Sequence, residues 1–347
     1  MITCSGTRTM DLGRALLSSG AMVFFLSGCA QLPDDVKRVL DAGLDHAERA
    51  SQYRNSVDWN TVRKEVYRAA DTARTVEGLG PAFKKLFAAM GDGHARVLHN
   101  NQQIAYYYGE PGEHLKGFDV NVFNRIQGGQ EFPFTSALLH ERIGYVRIIG
   151  LGMGDNVAMA QAIQGPICEL KAQGADRWII DLRYNGGGNV MPMLEGLAAL
   201  LGDGPVGRSK GATEAEDVAW SVSNGDFHLD AYTTGVPNEC TFPSIQPVAV
   251  LTSMYTASSG EMVAVAFKGR ERTRFLGEAT AGLTTATDWV ELAPGTVMMI
   301  SVGTYADRNG RVYKEYVDVD EHFTFVPVED LETDATILRA LAWLENQ

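Results

Sequence analysis

The chain has 347 residues, 45% of them hydrophobic, and a formal charge of −13; it can bury a large core in one or two domains and is not a disordered polypeptide. Its acidity, with no cluster of Lys or Arg, excludes a nucleic-acid partner gripped through phosphates. No Cys-x-x-Cys pair and no His-Glu-x-x-His motif occurs, so neither a metal nor another cofactor is expected.

Residues 1–28 read as an export signal. Arg8 and Arg14 precede the apolar run Ala21–Leu26, which is too short to span a bilayer, and Met10 is an alternative start. The run ends Leu26-Ser27-Gly28-Cys29, which resembles the lipobox of bacterial lipoproteins. That resemblance implies cleavage before Cys29, a lipid on its thiol, and attachment to a membrane of the bacterial cell envelope; the alternative is an apolar segment with a chance cysteine. In an exported chain Cys168 and Cys240 can pair as a disulfide, although Cys168, on an apolar helix, can equally stay a buried thiol.

From Pro33 to about Ala89 the spacing is helical, with Leu40, Leu44, Trp59, Val62, Val66 and Tyr67 on apolar faces and Pro81 opening a further short helix. This predicts an N-terminal helical unit over 29–90, ahead of a core domain over 91–347. Gly91-Asp92-Gly93-His94 then sets a histidine in a glycine-bracketed turn before a strand; a solvent-facing turn histidine would have the same pattern. Short strands are expected at Tyr106–Tyr108, Phe118–Val122 and Phe132–Leu139. Strand Gly144–Ile149, helix Asn156–Ala172 and strand Trp178–Leu182 form a β-α-β unit suited to a sheet interior.

The second of those strands runs into Asp181-Leu182-Arg183-Tyr184-Asn185-Gly186-Gly187-Gly188-Asn189, followed by a helix over Met191–Leu201. Three glycines between strand and helix leave backbone N–H groups unobstructed, fit to hold an anion or simply to turn tightly. The spacing matches neither the phosphate-loop nor the dinucleotide pattern. Residues 203–246 are polar, with Trp220, Asp226, Phe227 and Tyr232 in a hairpin placed at the border of a cleft and as its specificity pocket.

Val248–Leu251 is a short β-branched run, and Ser258-Ser259-Gly260-Glu261 joins it to an apolar helix. A serine there sits beside unpaired N–H groups and the positive end of the helix dipole, a suitable place for a nucleophile. Ser258-x-x-Glu261 is equally a capping box that needs no chemistry. Strand Thr273–Gly277, alternating segments near Trp289–Leu292 and Val297–Val302, a turn at Tyr305–Arg311 leading into Val312–Val317, and a helix over Thr333–Trp343 complete the chain.

Taken in order, Asp-Leu-Arg-x-Asn-x-Gly-Gly, Ala-Ser-x-x-Glu and Gly-Glu-x-x-x-Gly resemble the C-terminal-processing, or tail-specific, serine peptidases, closest to their tricorn-like and retinoid-binding-protein-like branch. The matching stretches are Gly144–Leu201 and Pro247–Gly282. The resemblance implies an α/β fold with a crotonase-like, or Clp-protease-like, core of β-β-α units, and serine-dependent hydrolysis of peptide or protein substrates. It makes Ser258 the nucleophile. Leu283 stands where many members carry a lysine, so the resemblance implies His94 as base, with Glu315 as orienting carboxylate. Asp318 and Asp320 are alternatives for that third role, because the run after Glu315 departs from the family pattern. Gly187 or Gly188, with the N–H of Ser259, would form the oxyanion hole. The interval from His94 to Gly144 is about half of the ~100 residues of a usual domain, so no PDZ domain is expected. The rival readings are a binding protein on the same fold without turnover, and an acyl-CoA enzyme, which export argues against. With His94 as base, kcat/KM should rise through about pH 6 to 7.

Overall fold

The computed structural model describes residues 31–347 apart from 110–111, 129–130, 238 and 329; residues 1–28, expected to be an export signal, and Cys29 lie outside the described residues. Leu32–Gln347 forms one compact unit.

Its centre is a six-stranded sheet. Val248–Thr252 runs parallel to Arg177–Asp181 on one side and Thr273–Gly277 on the other. Ile143–Arg147 extends the sheet in parallel, Thr135–Leu139 closes that edge antiparallel, and Glu321–His322 closes the opposite edge. The β-branched run is buried from end to end because helices cover both faces, and its alternation sorts the side chains. Val248 and Val250 face a core shared with the helices Asn156–Ala172, Val190–Gly196 and Ser259–Phe267, whereas Ala249 and Leu251 face the C-terminal helix Ala335–Leu344. Asp334 caps that last helix by accepting the N–H groups of Thr336 and Ile337.

A second, antiparallel sheet is built on the long strand Thr296–Asp307, which pairs with Arg96–His99, Gly204–Lys210 and Thr285–Ala293. The N-terminal helices Asp34–Ala50, Trp59–Ala69 and Gly80–Met90 lie on it. Leu40, Leu44, Val66, Phe83 and Phe87 share one core with Val97, Met298 and Ile300. Gly43 is where the first helix meets Phe83 too closely to admit a Cβ.

Several expected elements differ. Phe118–Val122 is no strand: Asp119 takes the N–H of Asn121, and its carbonyl accepts from Phe123, opening the helix Val120–Gly128. A capping aspartate thus outweighed an alternating run with three apolar positions in five. The helix expected over Met191–Leu201 is broken at Leu197 into Val190–Gly196 and Ala198–Leu201. In the 203–246 stretch, Val218–Ser223 and Asp226–Leu229 do form a hairpin, turning on Asn224 (φ 54°) and Gly225 (φ 82°); both central residues take positive φ, as a type I′ turn requires. Trp220 and Phe227, however, are fully buried in the main core rather than at a cleft border. Their ring area fills the space between the two sheets, with Trp220 edge-on to Tyr305.

Cys168 and Cys240 form a disulfide across 72 residues of chain, which settles the choice that spacing left open. Closing a loop of that length removes unfolded-state entropy equivalent to about 4 kcal/mol. Cys168→Ser with Cys240→Ser is therefore expected to lower the unfolding free energy by about 2–4 kcal/mol in urea titration, and the wild type in reductant should converge on the double variant.

Candidate active site

Arg177–Asp181 and Val248–Thr252 are parallel neighbours, so the loops leaving their carboxyl ends emerge side by side, where open α/β sheets hold their ligands. Backbone and hydroxyl bonds lace them together. Leu182 N–H donates to Leu251 O at 2.8 Å, Ala257 N–H to Asn185 O at 2.9 Å, Thr256 Oγ1 to Leu182 O at 2.8 Å and Ser253 Oγ to Arg183 O at 2.7 Å. Beneath them Arg183, 1% exposed, bridges Asp181 at 2.8 Å and Asp334 at 2.7 Å, while Tyr145 donates to Asp181 at 2.7 Å. Burial alone would raise the Asp181 carboxyl; Arg183 and these hydrogen bonds outweigh it and hold it below the usual carboxylate range.

Ser258 ends the second loop at φ 53° and ψ −116°, a left-handed backbone that a non-glycine residue holds only when its surroundings impose it. Glu261 supplies much of that constraint. It is fully buried and accepts from Ser258 N at 2.9 Å, Gly282 N at 2.9 Å, Leu283 N at 2.7 Å and Thr280 Oγ1 at 2.5 Å. Burial pushes its carboxyl up to about 7, against the pull of those four donors. Half of the capping box is thus a hub that ties the Ser258 junction to the segment 280–283.

The glycine loop lies directly against this junction. A Cβ on Gly187 would come within 2.9 Å of both Ala257 O and Ser258 Cβ, and its φ of 103° also calls for glycine. The two glycines differ in what their amides can do. Gly187 N–H is taken by Asn185 Oδ1 at 3.0 Å. The amides of Gly188 and of Ser259, at the first turn of the helix, have no acceptor among the described residues, while Gly188 O accepts from Ser259 Oγ at 2.6 Å. Of the three expected oxyanion donors, Gly188 and Ser259 are therefore the available pair.

His94 follows the C-terminal turn of helix Gly80–Met90, which Gly91 closes at φ 69°. It is 4% exposed, not a surface residue, and its Nδ1 lies 2.9 Å from Thr285 Oγ1. Burial, with the positive charge of Arg96, pushes the imidazole down to about 3, so it is neutral at ordinary pH. No hydrogen bond joins His94 to Ser258 among the described residues. Their supports are nevertheless continuous, since Thr285 stands two residues beyond Leu283, whose N–H shares one Glu261 oxygen with Ser258 N–H.

Among the described residues, neither Glu315, expected to orient His94, nor its alternatives Asp318 and Asp320 is bonded to the ring, whose Nδ1 partner is Thr285. Glu315 is exposed and makes no side-chain bond among the described residues, while its neighbours are held by the Tyr313 carbonyl, the Val317 N–H and the Tyr316 ring against His114. Asp318 pairs with Lys268 and Arg311, and Asp320 accepts from Phe275 N at 2.7 Å. Lys268 itself closes the far end of the helix that Ser258 opens. Among the described residues no group of His, Cys, Asp or Glu is arranged to hold a metal ion, and no helix is long and apolar enough to cross a membrane.

The profile of peptidase family S41 matches residues 142–323, just over half of the chain. The chain belongs to peptidase family S41. It is 32% identical over 173 residues to a nisin-resistance protein of Lactococcus lactis subsp. lactis, covering 49% of this chain and 50% of that protein. It is 27% identical over 165 residues to a carboxyl-terminal-processing protease of Picosynechococcus, covering 48% and 35%. The S41 chain thus spans half or less of these curated relatives. Among solved structures, a lipoprotein from Streptococcus agalactiae aligns with a TM-score of 0.69 at 21% identity, over 91% of this chain and 98% of that one. The photosystem II D1 C-terminal processing protease aligns at 0.53 and 20% identity, over 90% and 98%. These likenesses bear on the fold: the α/β core expected from the motifs is the S41 peptidase fold.

Motif reading missed Asn185, Glu261, Thr285, Ser301 and Asp92 as parts of the site. Asn185 and Glu261 stood inside the quoted motifs, and Asp92 two residues before His94 is a local signal. Thr285 and Ser301 carried none, because their partners are 191 and 209 residues away.

Proposed function

We propose that this protein is a serine peptidase of the bacterial cell envelope that cleaves peptide bonds through an acyl-enzyme on Ser258. The observation that carries the reading is Ser258 itself, held at positive φ beside two unpaired amides. In the proposed sequence His94 Nε2 takes the Ser258 hydroxyl proton as Oγ attacks the scissile carbonyl, and the N–H groups of Gly188 and Ser259 receive the oxyanion. The amine leaves with the proton from His94, and water then repeats the cycle on the acyl-enzyme. The imidazole and hydroxyl are not bonded in the free protein; such contacts commonly tighten only when substrate is bound.

A relative named a carboxyl-terminal-processing protease puts peptide or protein chains first among substrates. The lipobox-like Leu26–Cys29, with a lipoprotein among the structural neighbours, supports an anchor on Cys29. The deep burial of His94 favours one second reading, a peptide-binding protein that does not turn over. A fluorophosphonate probe separates the two. Covalent labelling at Ser258, lost in Ser258→Ala, is expected of the peptidase, and a wild-type protein that resists labelling would leave only binding.

A further inference from the structure

We infer that Thr285, Ser301 and Asp92 form the positioning relay of His94, in the place that Glu315 was expected to fill; the inference rests on His94 acting as the base. The chain of contacts is continuous and buried. His94 Nδ1 lies 2.9 Å from Thr285 Oγ1, Thr285 Oγ1 2.9 Å from Ser301 Oγ, and Ser301 Oγ 2.7 Å from Asp92 Oδ1. Thr285 is 9% exposed, and Ser301 and Asp92 are fully buried.

The direction of every bond follows from the carboxylate at its end. Burial raises the Asp92 carboxyl, and the donors of Ser301 and the His94 backbone oppose that rise; in its ionised form the carboxyl only accepts, so the Ser301 hydroxyl must donate to Asp92. A hydroxyl has one proton; Ser301 Oγ can therefore only accept from Thr285, and Thr285 Oγ1, having spent its own proton, can only accept from His94. That fixes the hydrogen on Nδ1 and leaves the Nε2 lone pair as the base, which is the job of the carboxylate in a three-residue site. Asp92 is itself fixed at both oxygens, since Ser301 N–H donates to Oδ2 at 2.8 Å and His94 N–H to Oδ1 at 3.1 Å. The carboxylate thus holds the backbone of the histidine directly and its ring through two hydroxyls. When Nε2 gains the proton of Ser258, the Nδ1 hydrogen remains donated along the same line, so the imidazolium is oriented toward a negative charge without contact. Thr285, Ser301 and Asp92 touch no substrate in this scheme, and each acts through His94.

The decisive substitution is Thr285→Val, which keeps the shape and removes the hydroxyl, with Thr285→Ser as the variant that keeps the hydroxyl and removes the methyl. We expect Thr285→Val to lower kcat about 10²-fold, the scale of a general-base contribution, with KM changed by less than about threefold. Thr285→Ser should recover kcat to within about fivefold of wild type. The tautomer gives a second readout that needs no turnover. In ¹⁵N-histidine-labelled protein, with the His94 signals assigned by their loss in His94→Asn, the wild type should show the proton on Nδ1 and Thr285→Val a mixture or the Nε2 form. Wild-type kcat and an unchanged Nδ1 tautomer in a folded Thr285→Val would overturn the relay. So would a loss in Glu315→Gln as large as that in His94→Ala. If the wild type neither hydrolyses peptides nor takes a fluorophosphonate, the peptidase reading fails instead, and the tautomer in Thr285→Val still decides whether the three residues set the histidine.

Discussion

Ser258→Ala is expected to lower peptide hydrolysis by about four to six orders of magnitude, His94→Ala by a similar factor, and the double variant by no more than either alone. Non-additivity is the informative part. A hydroxyl and the base that deprotonates it act as one unit, so once either is gone only binding and the two amides of Gly188 and Ser259 remain. Steady-state rates on a peptide series, with active-site titration to exclude contaminating wild type, measure it; additive losses would separate the two residues. The pH profile carries the same argument. Because burial and Arg96 push His94 down to about 3, the free base is already present throughout the neutral range. The rise through pH 6 to 7 expected for an ordinary histidine should therefore be missing, with the His94 limb displaced toward pH 3 to 4. The same shift acts on stability. The unfolded chain takes up a proton near pH 6.5 that the folded protein refuses until about pH 3, so stability present above 6.5 is lost as pH falls, by about 1.4 kcal/mol per unit. Urea unfolding of wild type and His94→Asn between pH 7 and 4 should converge toward the acid end.

The second large effect is structural. Arg183→Met should lower the unfolding free energy by about 3–5 kcal/mol, because it strands two carboxylates that are almost wholly out of water. Asp181 is 0% and Asp334 5% exposed, and Arg183 is the cation between them. Asp181 also accepts from Arg183 N–H at 3.0 Å, at the start of the glycine loop, and Asp334 caps the C-terminal helix. The urea midpoint should fall with little change in slope. Adding Asp181→Asn should recover part of the loss, since the remaining buried charge is then smaller. A change below 1 kcal/mol in Arg183→Met would mean that water reaches these carboxylates.

What could be read along the chain was what depends on neighbours in sequence. The unbroken apolar run of Val248–Leu251 and the apolar spacing of Asp34–Ala50 report two buried faces and one, and the three glycines of 186–188 mark a tight turn. The Asp-Leu-Arg run pointed to the right loop but not to its reason, since the cation of Arg183 is shared with Asp334, which is distant in sequence. Phe118–Val122 misled because its apolar residues favour a strand by their alternation, while Asp119 inside the run decides the helix.

The sequence by itself determined which strands lie inside the central sheet, where the backbone must turn on glycine, and that a serine opens a helix beside them, because each of these is a consequence of local steric and hydrophobic pattern. Only the tertiary structure decided which amides stay free, that Cys168 finds Cys240, and that His94 leans on Thr285 rather than on Glu315. Those outcomes depend on distances between segments folded together from far along the chain, and a hydrogen bond or a desolvated charge exists only once that geometry has been made.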